Sequence, residues 1–329
     1  MTDPTRAGGA DPGAGRDPAR DPDRVTADLD VVQPFQLDRS SLRGRLVRLG
    51  PALDEILTRH AYPDPVALLL GETITLGAAL ASALKYEGIF TLQTKGDGPV
   101  SFTVADVTSV GDLRGYASFD ADRLAAAVAA GAPGTLRDML GTGYLAFTVD
   151  QGEHTERYQG IVELAGDSLD DAVRHYFRQS EQLATGIKVA VGRDSAGRWV
   201  GGAILVQALP EEGGARGEAA RHSDVEEDDW RRAMVLLGSC TEAELLDARL
   251  PVNDLLFRLF HEEGARVYTR HALRAACRCS RGRVATALRS IPRGELEDLK
   301  VDGRVAVTCE FCKTEYGFDD AALDAVYAD

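Results

Sequence analysis

From Asp30 onward the chain reads as short alternating runs interrupted by longer helical periods. "DVVQPFQL" (Asp30–Leu37) alternates apolar and polar positions as a strand does. "RGRLVRLGPALDEILTRH" passes from strand into helix, with Leu53, Ile56 and Leu57 on one helical face. The run Val66–Leu84, "VALLLGETITLGAALASAL", has the length of a membrane span. Glu72, several Thr, Ser and Gly, and the abrupt "KYEG" boundary predict instead a buried helix of a soluble fold. Two alternating strands follow in "GIFTLQTKGDGPVSFTVADV". They meet at Lys95-Gly96-Asp97-Gly98, where Asp-Gly predicts the positive φ angles of a tight hairpin turn. "GYLAFTVDQG" with "RYQGIVEL" predicts another strand pair, and "IKVAVGRDSAGRWVGGAILVQALP" a further one. "DSLDDAVRHYFRQSEQLAT" predicts a helix with Ser168 as N-cap and Leu169, Val173, Tyr176 and Phe177 as its stripe. Antiparallel strands interspersed with helices, without regular βα alternation, predict an α+β fold.

Two regions break this texture. Residues 1–30 are rich in Gly, Pro, Asp and Arg without apolar period, and predict a disordered tail. After Pro210, "EEGGARGEAARHSDVEEDDW" carries no packed-strand pattern and predicts a charged linker. A helical period resumes at Trp230, Ala233, Met234 and Leu237, then continues through "CTEAELLDA" and "PVNDLLFRLFHEEG". The expected organisation is a tail over 1–30, a mixed sheet-and-helix core over 31–210, a helical linker over 211–264 and a small domain over 265–329.

Composition sharpens this picture. The 329 residues are 44% hydrophobic, enough for a sizeable core and for two units rather than one. A formal net charge of -15 argues against non-specific attraction of the whole molecule to nucleic acid. Residues 265–318 reverse that balance, with eleven Lys and Arg against six Asp and Glu. Such a piece suits docking onto an acidic neighbour, including the chain's own linker. The N-terminus lacks the apolar core of a secretory signal, so a reducing, cytoplasmic setting is expected, and no membrane. Paired cysteines there mean metal or redox chemistry more often than structural disulfides.

Four of the five cysteines form two tight pairs, Cys277-x-Cys279 and Cys309-x2-Cys312, 29 residues apart. Zinc takes four soft ligands tetrahedrally, and two such pairs on turns can converge on one ion. His271 lies nearby, but four thiolates already complete the shell. Cys240 stands alone in "LLGSCTEAEL" and reads as a small buried or helix-start residue. Each pair is also close enough in sequence for a local disulfide. Thiolate is the form that peroxide attacks. By chemistry alone, a permanently structural zinc site remains the favoured reading.

"CRCSRGRVATALRSI" followed by "GRVAVTCEFCKTEYGF" resembles the C-terminal switch of the 33 kDa heat-shock protein family, the redox-regulated holdase chaperones. "LRGRLVRL", "YPDPVALLLGE", "LKYEGIFTLQTKGDGPVSF", "GDLRGYASFD", "YFRQSEQLAT" and "GGAILVQALP" resemble the family's core in the same order, so the likeness runs from about residue 31 to 318. The N-terminal extension and Cys240 fall outside it. The resemblance implies one zinc ion held by Cys277, Cys279, Cys309 and Cys312 in a reduced, inactive form. It implies Cys277–Cys279 and Cys309–Cys312 disulfides on oxidation, with zinc released and the switch and linker unfolded. Trp230, Met234, Leu237, Leu255, Leu256, Phe257, Leu259 and Phe260 would then expose apolar surface to unfolding client proteins. Each is expected to be ordinary core packing in the reduced state. The resemblance further implies an ATP-independent, non-enzymatic cycle and a homodimeric active form.

Two other classes compete. A nucleic-acid-binding zinc protein would use the basic C-terminal piece, but the strands lack aromatic-basic alternation. A thiol–disulfide oxidoreductase would use Cys-x2-Cys, but no thioredoxin-like βαβ context surrounds it. Hydrolase signatures such as G-x-S-x-G and H-E-x-x-H do not occur.

Overall fold

The computed structural model describes residues 28–131, 135–152, 157–208 and 219–328, with backbone alone for 219–226. The tail expected over 1–30 lies outside the described residues up to position 27, as does the expected start of the linker at 211–218.

Described in chain order, β1 (Val31–Leu37) and β2 (Leu42–Leu49) lead into α1 (Pro51–Thr58) and α2 (Asp64–Ala83). Then come β3 (Ile89–Gly96), β4 (Val100–Thr108), β5 (Asp112–Phe119), α3 (Ala121–Ala129) and α4 (Leu136–Leu140). β6 (Gly143–Asp150), β7 (Tyr158–Glu163), α5 (Leu169–Tyr176), β8 (Thr185–Arg193) and β9 (Trp199–Ala208) complete the core. The linker forms α6 (Ala219–Ser239), α7 (Glu242–Leu246) and α8 (Val252–Phe260). Three short strands follow, β10 (Ala265–Val267), β11 (His271–Ala272) and β12 (Arg274–Ala275). The C-terminal unit holds α9 (Arg281–Leu288), β13 (Val305–Thr308), β14 (Glu315–Phe318) and α10 (Asp320–Ala328).

Two sheets flank α2. One runs β10-β1-β2-β9-β8, with β11 also on β1; the other runs β12-β5-β4-β3-β6-β7. Pairing is antiparallel except between β12 and β5. Burial between two sheets explains why α2 is apolar on nearly every side. Leu70 and Ile74 share a core with Val47 and Leu205 of one sheet and Leu92 and Ala105 of the other. Two of its threonines are satisfied within the helix: Thr73 and Thr75 donate to the carbonyls of Leu69 and Gly71 at 2.8 and 2.7 Å. Gly71 permits the close approach, since a Cβ there would lie 2.8 Å from a Val191 methyl. The Val66–Leu84 run is thus the central helix of the fold.

The first sheet is covered on its other face as well. Phe35, Leu37, Leu46, Ile204 and Val206 form a second core with Leu237, Leu245, Leu255, Leu256 and Phe260 of the linker helices. Phe35 and Phe260 stack with ring centroids 5.6 Å apart. Cys240 is 1% exposed within this layer, and burial pushes its thiol pKa up. Ser168 caps α5 as expected by accepting from the Asp171 amide, and Leu169, Val173 and Tyr176 are buried. Phe177 opens a π turn instead of extending the α-helix.

Three expectations change. The loop between β3 and β4 places neither Asp97 nor Gly98 at positive φ. Glycine is required there for proximity: a Cβ at Gly98 would lie 2.4 Å from the Met139 carbonyl oxygen, and its amide donates to Leu140 at 2.8 Å. Asp28 to Asp30 belong to the fold, not to a tail. Asp30 accepts from the Gly50 and Ala52 amides at 2.8 and 3.0 Å, and Asp28 from the Val252 amide at 2.9 Å. Phe257 is 67% exposed, because Val252, Leu255, Leu256, Leu259 and Phe260 supply the buried stripe of α8 and Phe257 falls on the opposite face.

Candidate metal centre

The two cysteine pairs are carried on two turns. Cys277 and Cys279 lie between β12 and α9, and Ser280 caps α9 by accepting from the Arg283 amide at 3.2 Å. Cys309 and Cys312 lie in the turn of the β13–β14 hairpin, whose register pairs Thr308 with Glu315. That turn is closed by the Lys313 amide donating to the Cys309 carbonyl at 2.8 Å, with Lys313 itself at φ 57. Arg281 joins the two turns, donating to the Gly317 carbonyl at 2.8 Å and lying over the Phe318 ring at 4.2 Å.

All four Sγ atoms lie within 4.8 Å of one another. Cys277 and Cys309 are 3.7 Å apart at sulfur, and Cys279 and Cys312 are 3.3 Å apart. A tetrahedral ion with thiolate bonds of about 2.3 Å requires sulfurs about 3.8 Å apart. The donor set therefore fits a metal ion, and the distances exceed a disulfide bond. His271 is exposed on β11, outside the thiol cluster. Outer contacts are polar: the Tyr316 hydroxyl donates to Cys279 Sγ at 3.1 Å, and Thr314 Oγ1 lies 3.2 Å from Cys312 Sγ.

These surroundings separate the thiols electrostatically. Burial, reinforced by the neighbouring thiols, pushes Cys279 up to about 12, and burial raises Cys309. Cys312 is also opposed by burial, but hydrogen bonds from Thr314 and the sharing of protons with Cys279 and Cys277 bring it down to about 6. Four thiolates cannot crowd together without a cation to neutralise them, so protons occupy most of the set until one arrives.

Around the thiols, the unit has a small core of six buried side chains among the described residues: Leu288, Leu296, Val305, Phe318, Leu323 and Val326. It docks on the turn after α1 and on β4 and β5 of the second sheet, while the linker's apolar stripe covers the first sheet. The residues between the cysteines make the contact. Arg278 pairs with Asp106 on β4, which also binds Arg114 at 2.6 Å. Phe311 lies beneath Arg114, 3.8 Å from the guanidinium carbon to the ring centroid. The Phe311 carbonyl meets His60 Nε2 at 3.0 Å. Sequence reasoning passed over Arg278 and Phe311; their position inside the cysteine spacings was the available signal. In the core, the acidic neighbours of this basic piece among the described residues are Asp38 for Arg266, Asp28 for Arg270, Asp112 for Arg274 and Asp106 for Arg278.

The linker residues form a separate group. Leu237, Leu255, Leu256, Leu259 and Phe260 are buried in the second core, while Trp230 and Met234 are half-buried against it.

Core and site together define an α+β protein carrying a C-terminal four-thiol metal unit. The family model described as Hsp33 protein matches residues 30–319, and the chain belongs to that family. It is 40% identical over 294 residues to the 33 kDa chaperonin of Caulobacter vibrioides (strain NA1000 / CB15N), covering 88% of this chain and 95% of the relative. It is 36% identical to the 33 kDa chaperonin of Pseudomonas fluorescens (strain SBW25), covering 92% and 94%. The crystal structure of the Hsp33 homologue from Thermotoga maritima has the same fold, with a TM-score of 0.74 at 22% identity over 90% of this chain and 97% of that one. The relatives are named as chaperonins, a non-enzymatic function, which places the chain among chaperones.

Proposed function

We propose that this protein is a redox-regulated, ATP-independent holdase whose four clustered cysteines hold one zinc ion in a reduced, inactive, cytoplasmic form. The observation that carries the reading is the convergence of four Sγ atoms within 4.8 Å in a unit with so small a core of its own. Zinc supplies an electrostatic and mechanical tie between the two turns, worth about 10–16 kcal/mol of apparent binding energy in small domains. Oxidation removes that tie. Each two-electron oxidation by peroxide takes two electrons from a pair of thiolates and two protons from solvent, breaks the peroxide O–O bond, forms one S–S bond and yields two waters. Cys277–Cys279 and Cys309–Cys312 are the local pairs, and once bridged they no longer offer thiolates to the ion.

The consequence travels through residues 265–276. This strap joins α8 to Cys277 and adds β10 and β11 to the first sheet and β12 to the second. Unfolding of the metal unit frees its far end, and α8 then loses β10 as a neighbour. Short helices without tertiary support are marginal in water. Trp230, Met234, Leu237, Leu255, Leu256, Leu259 and Phe260 become available to unfolding clients, joining the already exposed Phe257. The active form is a homodimer.

The test treats the reduced, zinc-loaded protein with peroxide or hypochlorite while zinc release, thiol count and suppression of client aggregation are followed. All three are expected to change together. Retained zinc with no gain in suppression would sink the reading. A second expectation concerns pH. Cys279 and Cys309 must give up protons to bind the ion, so zinc affinity should fall steadily as pH is lowered from 8 towards 6. Competition with a chelator of known pH dependence measures it, and a flat profile would contradict a four-thiolate set.

A further inference from the structure

The outer edge of β5 is partly occupied by the chain's own residues. The amides of Arg274 and Ala276 donate to the carbonyls of Gly111 and Leu113 at 3.0 and 2.9 Å, so the strap runs parallel to the start of β5. Further along, the Tyr62 hydroxyl accepts from the Ala117 amide at 3.0 Å and donates to its carbonyl at 3.2 Å. Gly115 lies between these capped positions, with its backbone groups on the same edge by the alternation of a strand. Beside this edge is the seat of Phe311. Arg114 covers the ring, Tyr116 lies 6.2 Å away centroid to centroid, and His60 binds the carbonyl. His60 in turn stacks on Tyr62 at 4.7 Å.

This seat reads one aromatic side chain and one backbone carbonyl, next to a strand edge. Those are generic features of an unfolded polypeptide, not of a folded surface. An extended segment adding to an open edge gains main-chain hydrogen bonds, with a pocket for a single side chain. The seat is built on β5 and on the turn between α1 and α2, where Tyr62 packs against the two-sheet core, so it outlasts any unfolding of the metal unit or the linker. We propose that the β5 edge, with His60, Arg114 and Tyr116, is a binding site for extended, aromatic-bearing segments of unfolding proteins. In the docked protein, Phe311 and the strap fill it. The inference rests on the chaperone reading and adds to it a second client surface, distinct from the linker and selective for aromatic residues.

Phe311→Ala in the full-length, reduced, zinc-loaded protein vacates the ring seat without oxidation. The probe is a fluorescently labelled ten-residue Ser/Thr peptide with one central Phe, compared with the same peptide carrying Ala there. Zinc content is measured alongside. The F311A protein is expected to bind the Phe peptide about tenfold more tightly than the Ala peptide, and wild-type reduced protein to bind neither. Adding His60→Ala or Tyr116→Leu to F311A should abolish the preference while the thermal transition of the core is retained. No binding by F311A, or binding indifferent to the Phe or to these two residues, overturns the proposal. Oxidised wild-type protein should acquire the same preference. If it does not while F311A does, the seat stands and the redox reading fails.

Discussion

Serine at both Cys309 and Cys312 is expected to abolish tight zinc binding and to unfold residues 277–328, while the two-sheet core stays folded. The two thiolates of the hairpin turn are half of the ligand set. If they carry half of about 10–16 kcal/mol, their loss weakens zinc by about four to six orders of magnitude. The unit has little to replace this. Its six buried side chains are shared among two short helices, a two-stranded hairpin and the loop that carries Leu296, an assembly too small to be stable alone. The docking contacts do not rescue it, because Phe311 and Arg278 lie within the cysteine turns and lose their geometry with them. Chelator competition should find no tightly held zinc, and amide exchange should rise across α9, β13, β14 and α10 but not across α2. Unaltered metal affinity would refute the ligand assignment. Protected amides in a zinc-free unit would refute its dependence on metal.

Local chemistry was legible in the sequence; partnerships between distant segments were not. Alternation found the strands because each sheet position has a fixed face, and Ser168 marked its helix because a cap acts within three residues. The cysteines were legible for the same reason, since spacing is local and sulfur is rare in this chain. Phe257 misled because apolar identity does not report helix face; only the register against Leu256 and Phe260 does. Asp97-Gly98 misled because glycine has two uses, positive φ and closeness, and only the distant Met139 carbonyl distinguishes them here. Asp28 could not be separated from a polar tail, since its partners Val252 and Arg270 lie more than two hundred residues away. The docking face escaped for a related cause: charge reversal over 265–318 predicted an acidic neighbour, and nothing local chose Asp106 over the acidic linker.

The largest effect outside the cysteines is expected at Arg48. Arg48, in the strand "LRGRLVRL", is 1% exposed in the middle of the fold. Its guanidinium donates to the carbonyls of Leu250 and Glu244, which bracket the turn between α7 and α8. Burial lowers its pKa, and the nearby charges of Asp28 and Asp247 work against that. One strand residue therefore pins the linker by its backbone, independently of the apolar stripe. The tie is incomplete, for Nε has no hydrogen-bond partner among the described residues. Arg48→Ala leaves two carbonyls unpaired, removes the cation facing Asp28 and opens a cavity. Asp28 keeps its ion pair with Arg270, so the cost comes from the two buried carbonyls left without this donor, about 1–3 kcal/mol each. Arg48→Met refills the volume only and should recover a minor part. In the reduced, zinc-loaded protein, amide exchange over 241–260 should accelerate by the corresponding two to four orders of magnitude, with zinc content unchanged. Aggregation suppression should then appear without oxidant, because the linker is freed from the core side rather than through the cysteines. Equal loss of protection in α2 would make Arg48 a plain core residue. Unchanged protection over 241–260 would show that the apolar stripe holds the linker alone.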